Sequence, residues 1–163
     1  MMLNVLKRLF SATVYVAIRR RELLIRDSNT GKAVRLPAAI ALDPAGREII
    51  AVGANATKQS PAQVRWPFDH PRIVIDDFQL AEKLLQAALR ELFEQSFLRP
   101  TPVVVVQSLD DWEAGLSQIE RRALQECCYG AGAREVFLWQ GQAPSDELLR
   151  SGDFRQSPQV LKP

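Results

Sequence analysis

The stretch Pro102-Val103-Val104-Val105-Val106-Gln107-Ser108, taken together with the chain from there to Glu135-Val136-Phe137-Leu138-Trp139, carries the decisive pattern of this protein. Four consecutive valines put apolar side chains on both faces of an extended segment, as expected of a central strand covered on both sides. Downstream, Asp110 or Asp111 is placed to cap a helix whose stripe runs Trp112, Leu116, Ile119, Ala123 and Cys127 and which ends at Gly130. Glu135 to Trp139 reads as the next strand.

Upstream, Pro100 and Pro102 stop a helix predicted over Phe78 to Phe97, with Asp76 or Asp77 as its cap and Phe78, Ala81, Leu84, Leu85, Ala88 and Leu92 as its apolar stripe. Arg72 to Ile75 reads as a short strand. Trp66-Pro67-Phe68-Asp69-His70-Pro71 is irregular, and Gly53 to Val64 is a short helix or loop. The first third is a β-meander: Thr13 to Ile18, Leu23 to Arg26, Ala33 to Leu42 (an edge or bulged strand because of Pro37) and Glu48 to Val52. The first two strands are linked by Arg19-Arg20-Arg21-Glu22, without glycine. Strands first, then strand–helix–strand–helix–strand, predict an α/β domain with a mixed sheet. Beyond Gln140 the chain is polar; one helical turn is expected at Asp146 to Arg150, and residues 140–163 are expected as a flexible tail.

The 163 residues suit one compact domain, and 47% hydrophobic with 25% charged residues excludes wholesale disorder. The longest apolar run, Pro102 to Val106, predicts no transmembrane helix. A net charge of +2 argues against a general nucleic-acid binder. Residues 1–35 nevertheless hold eight basic side chains against two acidic ones, so the remainder is net acidic and the N-terminal fifth is suited to face something anionic. Within it, residues 1–11 are patterned as an amphipathic helix: Met2, Val5, Leu6, Leu9 and Phe10 on one arc, Asn4, Lys7, Arg8 and Ser11 on the other. Two readings are open, a helix in the membrane interface with Lys7 and Arg8 among anionic headgroups, or a helix packed on its own domain. The only cysteines, Cys127 and Cys128, are adjacent and cannot build a disulfide framework, which suits a reducing cytoplasmic compartment.

Chemical constellations are sparse. His70 beside Asp69 has no serine in a sharp strand-to-helix turn to activate, and it reads as a loop residue. The cysteine pair lacks metal-ligand spacing. Tyr129-Gly130-Ala131-Gly132-Ala133 runs from helix to strand, the wrong order for a phosphate-cradling loop, and is a helix stop. Asp76-Asp77 is a cap before it is a Mg²⁺ site. Arg19-Arg20-Arg21 is either a grip for phosphate or anionic lipid or a solvated hairpin tip.

Several segments together resemble one family, the bacterial actin homologues of the MreB, rod shape-determining, type. Gln118-Ile119-Glu120-Arg121-Arg122-Ala123 followed by Gly130-Ala131-Gly132-Ala133-Arg134-Glu135-Val136-Phe137-Leu138 is similar to the family's stretch at the end of its first large subdomain. Ser96-Phe97-Leu98-Arg99-Pro100-Thr101-Pro102 before the valine strand, Ala51-Val52-Gly53 with Lys58-Gln59, and Ile75-Asp76-Asp77-Phe78 with Glu82-Lys83 resemble it too. The opening Met2-Leu3 to Phe10-Ser11 resembles the membrane-binding start of Gram-negative members. The likeness covers roughly residues 1–139 in order. It implies an actin-like (ribonuclease H-like) first lobe over residues 12–139, with a small inserted β-rich subdomain at about 33–65 and membrane-binding residues Met2, Val5, Leu6, Lys7, Arg8, Leu9 and Phe10.

The departures from the family bear on chemistry. Where its phosphate loop of the Asp-Leu-Gly-Thr-x-Asn-Thr kind stands, this chain has Val16-Ala17-Ile18-Arg19-Arg20-Arg21-Glu22. The metal-facing Asp position falls at or near Ala17, and the glycine that lets backbone approach phosphate is an arginine. The family's Glu-Glu-Pro is replaced by Trp139-Gln140-Gly141-Gln142, and the second phosphate loop and adenosine segment belong to a lobe outside this sequence. With Ala17, Ile18, Arg19, Arg20 and Arg21 as a degenerate phosphate loop, the expectation is a non-catalytic protein without cofactor or metal, bound to a full-length bacterial actin homologue or other cell-shape proteins. It is expected in the cytoplasm, peripheral at the inner membrane, without a nucleic-acid partner. The alternatives are a degenerate ATP- and Mg²⁺-binding fragment of an actin-like ATPase, and a membrane adaptor in which Arg19 to Arg21 act with the first helix.

Overall fold

In the computed structural model, which describes residues 12–97, 99–112 and 114–162, the elements run β1 (Thr13–Arg19), β2 (Glu22–Asp27), β3 (Ala33–Pro37), β4 (Ile40–Leu42), β5 (Ile49–Val52), a 3₁₀ turn (Gly53–Lys58), β6 (Val64–Arg65), α1 (Phe78–Leu92), β7 (Val103–Ser108), α2 (Gln118–Gly130), β8 (Glu135–Trp139), α3 (Asp146–Ser151), a second 3₁₀ turn (Asp153–Gln156) and β9 (Val160–Leu161). A six-stranded sheet takes the order β3-β2-β1-β7-β8-β9, and a small sheet the order β5-β4-β6. The hairpins β1–β2 and β2–β3 are antiparallel, while β1–β7 and β7–β8 are parallel. Parallel neighbours require a crossover, and α1 and α2 provide them.

The valine quartet explains the layering. Val104 and Val106 join Val14, Val16 and Ile18 on one face, beneath Leu84, Leu85 and Ala88 of α1 and Leu124, Cys127 and Cys128 of α2. Val103 and Val105 join Tyr15, Ala17 and Trp139 on the other, beneath Leu149 and Phe154. All four valines are buried, each worth about 1.5–3 kcal/mol relative to exposure.

Several expectations need correction. Ala33 to Leu42 is two strands in two sheets: Pro37, which lacks an N–H, ends β3 at the sheet edge, and the chain crosses into the inserted sheet through buried Ala38 and Ala39. Arg72 to Ile75 forms no strand, because its amides are taken by side chains: Arg72 and Ile73 donate to His70 Nδ1, and Val74 donates to Glu120 Oε1 at 3.3 Å. Asp77 caps α1 by accepting from the Leu80 amide at 3.0 Å, but the helix ends at Leu92 rather than Phe97. Past Phe93 the next positions are the exposed Glu94, Gln95 and Ser96, so no further turn could be held by packing.

α2 starts later than Asp110 or Asp111. Gly115 at φ +67 interrupts the run, and Ser117 is the cap: its hydroxyl accepts from the Glu120 amide while Glu120 Oε2 accepts from the Ser117 amide at 2.9 Å. The helix is therefore rotated from the expected stripe. Leu124, Cys127 and Cys128 are buried, and Ile119 is 82% exposed.

Residues 140–162 depart from the expected flexible tail. Ser145 caps α3, Leu149 and Phe154 are each 1% exposed, and β9 pairs antiparallel with β8. Phe154 meets Phe137 edge-to-face at 5.2 Å, with the Arg155 guanidinium 4.8 Å over the Phe137 ring. This segment supplies the second covering layer that the valine strand calls for. The expected membrane-binding helix, with Met2, Val5, Leu6, Lys7, Arg8, Leu9 and Phe10, lies outside the described residues.

Candidate functional site

The β1–β2 turn stands where the resemblance puts a phosphate loop. The ladder stays regular to its tip, with Ile18 opposite Leu23 and Arg19 opposite Glu22, so only Arg20 and Arg21 form the link. Neither adopts positive φ. A two-residue turn of this kind has no backbone concavity in which N–H groups converge on an anion.

The guanidinium groups are engaged. Arg21 Nε donates to Asp69 Oδ2 at 2.7 Å, and its guanidinium lies 4.8 Å over the Trp66 ring. Arg20 reaches the Pro71 carbonyl at 3.5 Å and stacks 5.8 Å over Trp112, whose indole N–H donates to Ser108 Oγ at the end of β7. Burial pushes the Asp110 carboxyl above its usual range, with Arg20 and Arg19 pulling the other way. Arg21 is 66% exposed, so its ion pair contributes at most about 1 kcal/mol. The tip is thus a light latch across the Trp66–Pro71 loop and the segment after β7.

Beneath the tip, Ala17 sits opposite Gln107 and is 3% exposed. Tyr15 donates its hydroxyl proton to Gln107 Oε1 at 2.7 Å, and Gln107 Nε2 donates to the Gly141 carbonyl at 2.6 Å. Burial raises the Tyr15 phenol above its ordinary value, against the pull of Arg26 and Arg19, so it remains a donor at neutral pH. Gly141, at φ +88, turns the chain after β8 so that its carbonyl lies over the end of β7. A neutral amide network thereby stands where a carboxylate would be needed to hold a divalent cation. Among the described residues, no three His, Cys, Asp or Glu side chains group as metal ligands. Desolvation pushes the Cys127 thiol up to about 12 and raises Cys128 further, which disfavours the thiolate at both buried positions.

The opposite end of the sheet differs. Ala12, whose carbonyl accepts from the Val103 amide at 2.8 Å, opens onto a groove of about 760 Å³ lined by Leu92, Phe93, Pro100 and Thr30. Nearby, Phe97 is 101% exposed beside the exposed Arg99. The sequence places Phe97 at the end of the predicted helix, outside its apolar stripe, and gives it no role; the available signal was an aromatic between polar residues and Pro100. Ala12, just before β1, and Arg19, at its far end, lie about 20–25 Å apart. A third surface, at the corner joined by the Val74–Glu120 contact, exposes Ile119 with Ile73 and Phe78. Among the described residues no helix is long and apolar enough to cross a membrane.

The geometry agrees with what this chain is similar to. The model of the MreB/Mbl protein family matches residues 18–143. The cell shape-determining protein MreB of Escherichia coli K12 is 33% identical over 144 residues, which cover 84% of this chain and 40% of that protein. Among solved structures, MreB5 of Spiroplasma citri bound to ADP superposes with a TM-score of 0.60 at 20% identity, covering 80% of this chain and 38% of that one. The MamK double helical filament gives a TM-score of 0.54 at 16% identity, covering 78% and 40%. This chain thus spans about 40% of the length of the curated relatives it matches. With an actin-like sheet order, an inserted β-rich subdomain and a family match over most of its length, the chain belongs to the MreB/Mbl family.

Proposed function

We propose that this chain acts in cell-shape control as a non-catalytic member of its family, docking onto a full-length actin-like homologue at the inner-membrane surface. One observation carries the non-catalytic reading: the triphosphate position of the resemblance is a tight hairpin whose Arg20 and Arg21 are turned onto Trp112, Trp66 and Asp69. Phosphoryl transfer needs a cradle, a metal and an oriented water together. The Ala17–Gln107 pairing and the Gly141 carbonyl supply none of them.

Docking is supported by a surface that a monomer would not need. Ile119, Ile73 and Phe78 are exposed large apolar side chains on two segments that the Val74–Glu120 hydrogen bond joins. The lobe matches about 40% of a whole family member, so any contact it makes with a filament would use part of a subunit's surface. The membrane part of the proposal rests on residues 1–11 and on Phe97 with Arg99, at the end of the sheet from which those residues lead.

The test is co-sedimentation with full-length MreB polymerising in ATP and Mg²⁺. The chain is expected to change pelleted mass or filament length with increasing ratio, and Ile119→Asp to weaken that effect; an unchanged curve at every ratio rejects docking. Calorimetry with ATP and Mg²⁺ should register no heat of binding, and a micromolar isotherm would instead favour a residual nucleotide site.

A further inference from the structure

We infer that β5 of the inserted sheet is a pairing edge for a second copy of this chain, joined strand to strand about a two-fold axis at Ile50. Among the described residues the two sheets end in four edges, β3 and β9 of the large one and β5 and β6 of the small one. An unpaired edge presents free N–H and C=O groups to any extended chain, so natural proteins blunt it. β6 and β9 are two residues long, and β3 carries the exposed Arg35 and ends at Pro37. β5, Ile49-Ile50-Ala51-Val52, has no proline and no charge. Its two isoleucines are 39% and 49% exposed.

The fold does not need these side chains for its own packing. The small sheet closes on a core of Ala39, Ala41 and Ala56, with Trp66 packed against it. β4 pairs with β5 through Ile40–Val52, Ala41–Ala51 and Leu42–Ile49, and the register shift between the last two leaves Ile50 without a partner on β4. A bulge normally turns an edge aside, whereas this one carries an exposed isoleucine.

The residues of the edge select its own copy as occupant. In an antiparallel pair with Ile50 opposite Ile50 of the second copy, Ile49 faces Ala51, a large side chain against a small one. The same register sets Glu48 opposite Val52, toward the turn Gly53–Lys58 that ends in an exposed lysine. It also holds the two Glu48 positions about 13 Å apart. Opposite charges thus converge at each end and like charges do not. Centring the pair on Ile49 would set Glu48 against Ile50, and centring it on Glu48 would oppose two carboxylates. The contact is isologous, so it closes at two copies and joins two three-stranded sheets into one. So short a contact buries less than a standard interface, and the dimer is weak and exchanging.

The test uses the full chain with no other protein present, so its outcome is separate from docking onto a homologue. Sedimentation should show a monomer–dimer equilibrium below about 1 mM, and Ile50→Lys should weaken the dimer by about tenfold or more without moving the urea midpoint. Ile50→Cys should give a disulfide-linked dimer on mild oxidation, because opposed residues of an antiparallel pair lie within disulfide reach and Cys127 and Cys128 are buried. Glu126→Cys, exposed on α2, should not. A chain that stays monomeric to about 1 mM overturns the inference, as do equal cross-linking of the two cysteine variants and a dimer that Ile50→Lys leaves intact. A monomer whose binding to full-length MreB is lost in Ile50→Lys gives the edge to a foreign strand and equally overturns the second copy.

Discussion

The two ends of the six-stranded sheet are built on opposite terms. At the C-terminal ends of β1 and β7, polar groups face one another in pairs: Arg21 with Asp69, Tyr15 with Gln107, Gln107 with Gly141. At the N-terminal ends, Ala12, Phe93, Pro100 and Phe97 leave an open apolar rim. In an enzyme of this architecture the C-terminal ends of the strands are where a ligand is expected, since backbone groups and loops converge there. Here that end is sealed by the chain itself, and the end with unspent apolar surface is the other one. The two ends thus differ in what they leave open: paired polar groups at one, apolar side chains at the other.

The sharpest way to break this comparison is to make the same change in the covering layer and at the open rim. Phe154→Ala removes a 1% exposed ring packed on Phe137 and should cost about 3–5 kcal/mol in urea unfolding. Phe97→Ala should stay within about 0.5 kcal/mol, since its ring is wholly in solvent. Similar losses at the two positions would mean that residues 140–162 are not a structural layer.

Next in size is Tyr15→Phe. It leaves Gln107 Oε1 buried without its donor and should cost about 1–3 kcal/mol, read by the same denaturant midpoint. Arg21→Ala should cost less than about 1 kcal/mol, and a double-mutant cycle with Asp69→Ala should give a coupling of that order or below. A larger coupling would show the tip to be a clamp rather than a latch.

The smallest effect is one of pH. The Arg155 guanidinium donates to Glu135 and holds its carboxyl below the usual range. A folded value below the unfolded one means stability that is present above the unfolded value and lost as pH falls through the folded value. Acidifying below about pH 4.5 should therefore destabilise the wild-type chain slightly more than Arg155→Gln, by a few tenths of a kcal/mol because the pair is solvated. Identical acid profiles would discard this contribution.

Sequence legibility followed the length of each pattern. The valine strand, the helical stripe from Ala81 to Leu92 and the family likeness were readable because each repeats a signal over many residues. Ser117-Gln118-Ile119-Glu120 was equally readable as a capping box, but the nearer aspartates before Trp112 competed for the same role. That choice turned the helix and hid the exposure of Ile119. β9 has two residues, and Phe154 is a single aromatic in a polar stretch, so neither had a period to detect. The arginine tip was legible as a departure from the family pattern. What its side chains touch was not, since Asp69, Trp66 and Trp112 are far from it in sequence and meet it only through the fold.

The burial of Ala17 has a consequence for what position 17 can hold. An aspartate there would enter a dry layer among Tyr15, Val105 and Trp139, at a cost of several kcal/mol unless a counter-charge came with it. Shape and dryness together make a methyl group the side chain this layer accepts, so substitutions toward charge at position 17 should be read first as folding defects.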